Sequence, residues 1–462
     1  MEAKTVTGNK ARYLSFFKFL LCFAAAGGLV WFIRVPEFTT SQLYVLFILF
    51  FAIGLWITEV IPPFATGLLI IAFLVFSLGN PNFNPEPQDV ARYANTFSSG
   101  VIWLMLGGFF LASAMSKTKL DASLFSFTVR FSGTKPRNLV IGLMATTMIA
   151  SMLMSNTACT AMVIAAVTPL LTSLGKKSGL GKAVLLGVPV AASTGGMATI
   201  IGSPPNVIAA GALENAGINI SFLEWMIYGA PVAIVLTALC CIALLMVYVK
   251  DQTPISLDFL KAEETEMTKE LKSQRRIVLV VITVTIIMWL TGELHGISVA
   301  GVSAIPIVFL TLTGILTGKD VRTLPWDTLF LVAGGLSLGV ALQYNGLLHH
   351  YADKMTALNV NQLTLMIVFA FATMAFSNIM SHTATATVLI PLSMAMMPEV
   401  KMEIAMIIGL AASTAMMLPV STPPNAIAFS TGLLELKDFR LGGLLSGILG
   451  PLLVVLWILF VS

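Results

Sequence analysis

Apolar runs long enough to cross a ~30 Å hydrocarbon layer as helices recur from one end of the chain to the other. They lie near residues 14–33, 41–60, 65–79, 98–116, 183–212, 222–249, 277–292, 298–316, 328–344, 403–433 and 441–461. Two further apolar stretches, near 138–174 and 362–398, are too long for one helix, and each is interrupted at its middle by a polar cluster. These predict re-entrant hairpins that enter and leave on the same side. The pattern therefore predicts an all-α polytopic membrane protein with about 11 transmembrane helices and two re-entrant hairpins. The first run could be mistaken for a signal peptide. No small-residue cleavage site follows it and many spans come after, so a retained helix is expected.

Loop charge tests this path. With both hairpins re-entrant, 22 of the 26 Lys and Arg residues fall on one side, and only Arg34, Arg92, Lys354 and Lys401 fall on the other. Reading either hairpin as a full span flips every later loop and spoils the split. Positive charge collects on the cytoplasmic side. The expectation is an inner (plasma) membrane protein with its N-terminus in the cytoplasm and its C-terminus outside.

The two halves of the chain also repeat. Gly107-Gly108 in one apolar run matches Gly334-Gly335 in another, and Ser155-Asn156-Thr157-Ala158 matches Ser381-His382-Thr383-Ala384. Gly202-Ser203-Pro204-Pro205-Asn206 matches Ser421-Thr422-Pro423-Pro424-Asn425. The order is kept, while the spans carrying the glycine pairs run in opposite directions. That is the signature of an inverted-topology repeat, common in transporters.

Composition agrees. Of 462 residues 57% are hydrophobic and 10% charged, with mean hydropathy +0.91, too little polar surface for a chain coated by water. The net charge of +4 is spread over loops and is no nucleic-acid footprint. Cys22, Cys159, Cys240 and Cys241 sit in apolar runs without ligand spacing, as inert thiols do. The charged loop over 250–276 reads as a solvated cytoplasmic connection.

Chemistry concentrates in four polar breaks, two per repeat. Backbone broken at membrane depth is tolerated where it lines a cavity, and tandem prolines end a helix by removing amide donors. Half-helix N-termini present amides and a positive dipole end to anions, and half-helix C-termini present carbonyls to cations. The Asn, Thr and Ser side chains of the breaks add donors and acceptors. None of the four clusters holds Arg or Lys. A dicarboxylate held by neutral dipoles needs co-bound cations for charge balance, which argues for cation coupling.

The Ser-Asn-Thr-Ala tip, the paired Pro-Pro-Asn breaks and Thr58-Glu59-Val60-Ile61-Pro62 resemble the divalent-anion/sodium symporter family, the INDY-type dicarboxylate transporters, from about residue 40 to the end. The resemblance implies a homodimer working as an elevator. Scaffold helices would occupy 1–120 and 277–346, and transport-domain halves 121–249 and 347–462, with 250–276 as the connection. It implies one sodium site at Ser151, Ser155, Asn156 and Gly202, and a second at Ser377, Ser381, His382 and Ser421. Asn156, Thr157, Ser203, His382, Thr383 and Pro423 would line the substrate pocket. The family commonly has Asn where this chain has His382. An imidazole can be a neutral ligand or, protonated, can stand in for a sodium.

The expected activity is sodium-coupled symport of di- or tricarboxylates, C4-dicarboxylates first, with no cofactor besides sodium as coupling ion. A dicarboxylate exchanger, a proton-coupled carrier using His382 and a sulfate transporter are the alternatives. A membrane enzyme is disfavoured, because the sequence has no intramembrane His-Glu zinc pair, no Ser-Lys or Asp-Asp dyad and no phosphate-binding glycine loop. Glu59, near the end of its span, reads equally as a cap or as a functional acid. His295, His349 and His350 fall in loops expected to be solvated.

Overall fold

Short polar residues and prolines fix where the apolar runs begin as helices. The computed structural model describes residues 2–251, 253–255, 268–347, 350 and 361–462. The first half comprises α1 (Glu2–Ile33), α2 (Thr40–Thr58), α3 (Pro63–Gly79), α4 (Gly100–Lys117), α5 (Leu120–Ser132), α6 (Pro136–Ser151), α7 (Asn156–Leu174), α8 (Gly179–Met197), α9 (Pro204–Asn215) and α10 (Phe222–Tyr248). The second half comprises α11 (Lys269–Leu290), α12 (Val299–Leu312), α13 (Trp326–Tyr344), α14 (Gln362–Ser377), α15 (His382–Met396), α16 (Lys401–Ala412), α17 (Pro423–Ser430) and α18 (Phe439–Val461). Thr39 with Gln42 and Ser221 with Glu224 form capping boxes that start α2 and α10. Proline opens α3, α6, α9 and α17, where its missing N–H costs no helical hydrogen bond.

Among the described residues nine helices are long and apolar enough to cross a membrane, and the protein is a multi-pass membrane protein. The runs at 65–79 and 298–316 become helices of 17 and 14 residues, shorter than the ~20 residues a straight crossing takes. Each overlong stretch resolves into two helices that touch each other: α6 and α7 around the turn 152–155, and α14 and α15 around the turn 378–381. The stretches 183–212 and 403–433 each break in two, as α8–α9 and α16–α17.

Two features depart from the sequence reading. Residues 120–132 fall between two expected apolar runs yet form helix α5, whose 13 residues are fewer than a crossing takes and whose Phe127 and Phe131 rings stack at 6.0 Å and are exposed. The connection 250–276 is only partly loop. Residues 252 and 256–267 lie outside those described, while Lys269–Arg276 form the first turns of α11. There Arg275 donates to Thr118 O and Lys119 O, both at 2.8 Å, at the C-terminal end of α4.

Packing follows the repeat. Helix α3 lies along α13, and α4 along α12. Helix α8 is buried along nearly its whole length beneath α6, α7 and α10, and α16 takes the same place against α14, α15 and α18. The glycine pairs are two-sided. A Cβ on Gly334 would fall on the Gly67 backbone, and one on Gly107 would lie 2.8 Å from Ser303 Cβ, so the first glycine of each pair permits the α3–α13 and α4–α12 crossings. A Cβ on Gly108 would lie 3.2 Å from Ile201 in the first break, and one on Gly335 would lie 2.6 Å from Thr387 of α15. The second glycine therefore faces a break or a hairpin.

Candidate functional site

Breaking a helix at depth orphans carbonyls, and the first break satisfies them from within. The chain reaches Pro204 through extended Ser203 (φ −149°, ψ 138°) and Pro423 through extended Thr422 (φ −141°, ψ 145°). Asn206 Nδ2 donates to Gly196 O at 2.8 Å and Thr199 O at 2.7 Å, while Trp225 Nε1 donates to Met197 O at 3.1 Å. In the second break Asn425 Nδ2 donates to Met416 O at 3.2 Å and Leu418 O at 3.0 Å. The sequence reading gave these asparagines to a ligand as donors. They are turned the other way, toward backbone carbonyls at and beyond the C-terminal ends of α8 and α16, where the helical hydrogen-bond ladder stops.

Each hairpin tip is tied to its own break. Ser155 Oγ accepts from Ala158 N and Ser381 Oγ from Ala384 N, both at 3.1 Å, which caps α7 and α15. Thr199 Oγ1 donates to Met152 O at 2.5 Å and accepts from Gly202 N at 3.1 Å. The second tip uses different residues: Asn378 Oδ1 accepts from Met417 N at 3.0 Å, and His382 Nε2 lies 3.1 Å from Ala415 O. A carbonyl partner requires that this nitrogen carry hydrogen and donate. Asn156 pairs with Ser151 Oγ at 2.6 Å, and with its amide nitrogen oriented by the surrounding acceptors it donates to Ala192 O at 3.0 Å and Gly202 O at 3.3 Å. Ser203 Oγ and Ser413 Oγ, 3.5 Å apart, connect the two breaks.

Between the tips and breaks lies a cavity of about 410 Å³. Asn156, Thr157, Ser203, His382, Thr383 and Pro423 all line it, as do Ser155, Gly202, Ser381 and Ser421. The N-terminal ends of α7, α9, α15 and α17 thus converge on one space. Ser151 and Ser377 sit behind this surface, both buried; Ser377 Oγ has no hydrogen-bond partner. Among the described lining residues there is no Lys or Arg. Four positive dipole ends around neutral side chains make a site for an anion.

The structure adds residues that sequence reasoning missed. Thr199 and Asn378 hold tips to breaks across gaps of 47 and 39 residues, which no local pattern discloses. Asp327, in the first turn of α13, lines the cavity. A lone acid at the start of an apolar run was a visible signal. Glu59 ends α2 in a left-handed conformation (φ 47°) and does not line the cavity. His295 is a turn fastener rather than solvated surface: Nδ1 accepts from Ile297 N at 3.0 Å and Nε2 lies 2.9 Å from Met288 O. His350 packs edge-on against Phe38 at 4.8 Å, and His349 lies outside the described residues. All four cysteines are free and buried.

Comparison with known proteins bears on this site. A family profile described as the sodium:sulfate symporter transmembrane region matches residues 15–461. A sodium-dependent dicarboxylate transporter, SdcS, of Staphylococcus saprophyticus is 30% identical over 440 residues, covering 88% of this chain and 83% of the relative. Its namesake in Staphylococcus aureus is 28% identical over 468 residues, covering 93% and 88%. Among solved structures, the Alcanivorax borkumensis YdaH transporter aligns with a TM-score of 0.59 at 14% identity, over 86% of this chain and 98% of that one. Neisseria gonorrhoeae MtrF, from a class of antimetabolite efflux pumps, aligns at 0.56 and 12% identity, over 86% and 94%. Those two likenesses speak to the fold alone.

Proposed function

Because this chain belongs to the sodium:sulfate symporter family, a family of transporters and not of enzymes, we propose that it carries C4-dicarboxylates together with sodium. One observation carries the reading: four helix N-termini meet at a cavity that has anion-binding dipoles but no Lys or Arg among its described lining residues. Such a site binds a dicarboxylate loosely and leaves its charge to be balanced by cations. The relatives named as sodium-dependent dicarboxylate transporters support this choice.

In this reading the substrate sits against Asn156, Thr157, Ser203, His382, Thr383 and Pro423. One sodium takes Ser151, Ser155, Asn156 and Gly202. The other takes Ser377, Ser381, His382 and Ser421, and the unpartnered, buried Ser377 hydroxyl suits a cation ligand. The hairpins are re-entrant, the halves are inverted repeats and the N-terminus is cytoplasmic, with 22 of 26 basic residues on that side as support. The transport body of 121–249 and 347–462 moves as an elevator against a scaffold of 1–120 and 277–346 in a homodimer, in the plasma membrane. A cavity of about 410 Å³ has room for a four-carbon acid with water, which favours carboxylates over sulfate.

The experiment is succinate uptake into proteoliposomes with sodium and pH gradients imposed separately. Sodium-driven accumulation is expected. Counterflow of labelled succinate without net accumulation would instead identify an exchanger. His382 supports a second reading, in which an imidazolium replaces the second sodium: uptake driven by the pH gradient alone would favour it.

A further inference from the structure

The geometry points to Asp327 as the residue that sets the charge class of the substrate, holding the carrier to dianions by opposing a third negative charge. Among the described lining residues it contributes the one formal negative charge, in a cavity otherwise walled by neutral side chains and four positive helix ends. Its placement is firm. Trp326 N donates to Leu324 O at 2.7 Å, Trp326 Nε1 to Val321 O at 2.9 Å, and Thr328 N to Pro325 O at 3.1 Å, and Pro325 and Thr328 flank Asp327 on the same wall. The residue is exposed, so water and ions reach it and its field is screened rather than buried. It also comes from α13, whereas the hairpin tips and breaks supply the dipoles. The positive ends attract any carboxylate; the fixed carboxylate acts in proportion to total ligand charge, so it disfavours a trianion more than a dianion. This inference rests on the carboxylate reading of the cavity.

The test compares uptake of citrate and succinate, at alkaline pH where both acids are fully ionised, in proteoliposomes containing the full chain. Asp327→Asn is expected to raise the citrate-to-succinate ratio about threefold, Asp327→Lys further, and Asp327→Glu to keep it near that of the parent; high salt should compress the differences. A purely structural role would lower both rates together and leave the ratio alone. If Asp327→Asn transports neither acid, the same ratio is read from the two acids' dissociation constants on the purified protein. A ratio within twofold of the parent in Asp327→Asn, by uptake or by binding, overturns the inference. Parent protein that takes up neither acid overturns the carboxylate reading, and this inference with it; parent protein that takes up succinate while the ratio stays unmoved overturns this inference alone.

Discussion

Asn156 and Asn206 lie at two breaks of one half, and their amides face opposite ways. Asn156 lines the cavity and closes on Ser151 and the Gly202 carbonyl, while Asn206 is fully buried behind the wall, serving Gly196 O and Thr199 O. Their losses should differ in kind. Asn156→Ala is expected to abolish uptake while the protein still purifies, because it removes a cavity-lining amide together with its bonds to Ser151, Ala192 O and Gly202 O at the rim of the site. Asn206→Ala strands the buried Gly196 carbonyl, which costs about 1–3 kcal/mol when unsatisfied, and leaves Thr199 O only the Gly202 N–H at 3.3 Å, so its melting temperature should fall before any transport assay is run. Normal uptake by Asn156→Ala, at normal expression, would remove it from the site. His382→Asn is expected to steepen the sodium dependence of uptake by restoring an amide at the second tip. Unchanged pH and sodium profiles would mark His382 as a neutral structural ligand. The sequence could name these residues, since polar clusters stand out in apolar runs. It could not tell the two asparagines apart, because which acceptor an amide meets depends on how the break folds: Asn206 meets Gly196 O and Thr199 O of its own break, while Asn156 reaches Ala192 O and Gly202 O from another hairpin.

Among the elements, the two glycines of the second pair face different neighbours. Gly334→Ala sets a Cβ on the Gly67 backbone, which cannot yield, and overpacking of this kind costs about 1–3 kcal/mol. It should reduce expression and thermal stability. Gly335→Ala sets its Cβ 2.6 Å from the buried Thr387 side chain, which must shift but is not backbone, so it should lose less stability and slow uptake by tightening the contact of α13 with α15. Equal stability losses in the two variants would contradict this division. A second element-level staple joins the C-terminal end of α4 to the short helix Gly318–Arg322. Lys117 Nζ lies 2.6 Å from Asp320, and this contact, with hydrogen bonds from Thr317, holds the Asp320 carboxyl well below its usual range. A lowered carboxyl stabilises the fold above its unfolded pKa and loses that contribution as pH falls through the folded one. The melting-temperature gap between parent and Asp320→Asn should therefore be constant from about pH 8 to 5 and shrink below ~4; a gap that widened on acidification would refute the assignment. The hairpins were legible because their length exceeds one crossing. Helix α5 was not, since its one apolar face is narrower than any span and basic residues flank it.

For the whole molecule, the proposed inverted repeat predicts alternating access. With Cys22, Cys159, Cys240 and Cys241 replaced, Thr157→Cys should react with a membrane-impermeant thiol reagent mainly in inward-facing protein, and Thr383→Cys mainly in outward-facing protein. Reaction of both from one side in one trapped state would contradict it. The order of the glycine pairs, tips and breaks in the two halves could be read from glycine and proline spacing. The meeting of four helix ends at one cavity was expected only through the family resemblance, because spacing alone does not show how α8 and α16 pack at the centre of their halves.

The lack of Lys and Arg on the described cavity wall has an electrical consequence. In the proposed elevator the tips and breaks travel while Asp327 stays on α13, so the moving part of the wall bears no fixed charge: it is neutral when vacant, and neutral again when a dianion travels with two sodium ions. Either form can pass the hydrocarbon layer cheaply. A body bearing the dianion alone, or the cations alone, carries net charge into a medium where an uncompensated ion is strongly disfavoured. Slippage is then suppressed by the bilayer itself, without any gate that senses occupancy. A voltage clamp would read it directly: two sodium ions per dianion give no current, and each further cation gives one charge per cycle.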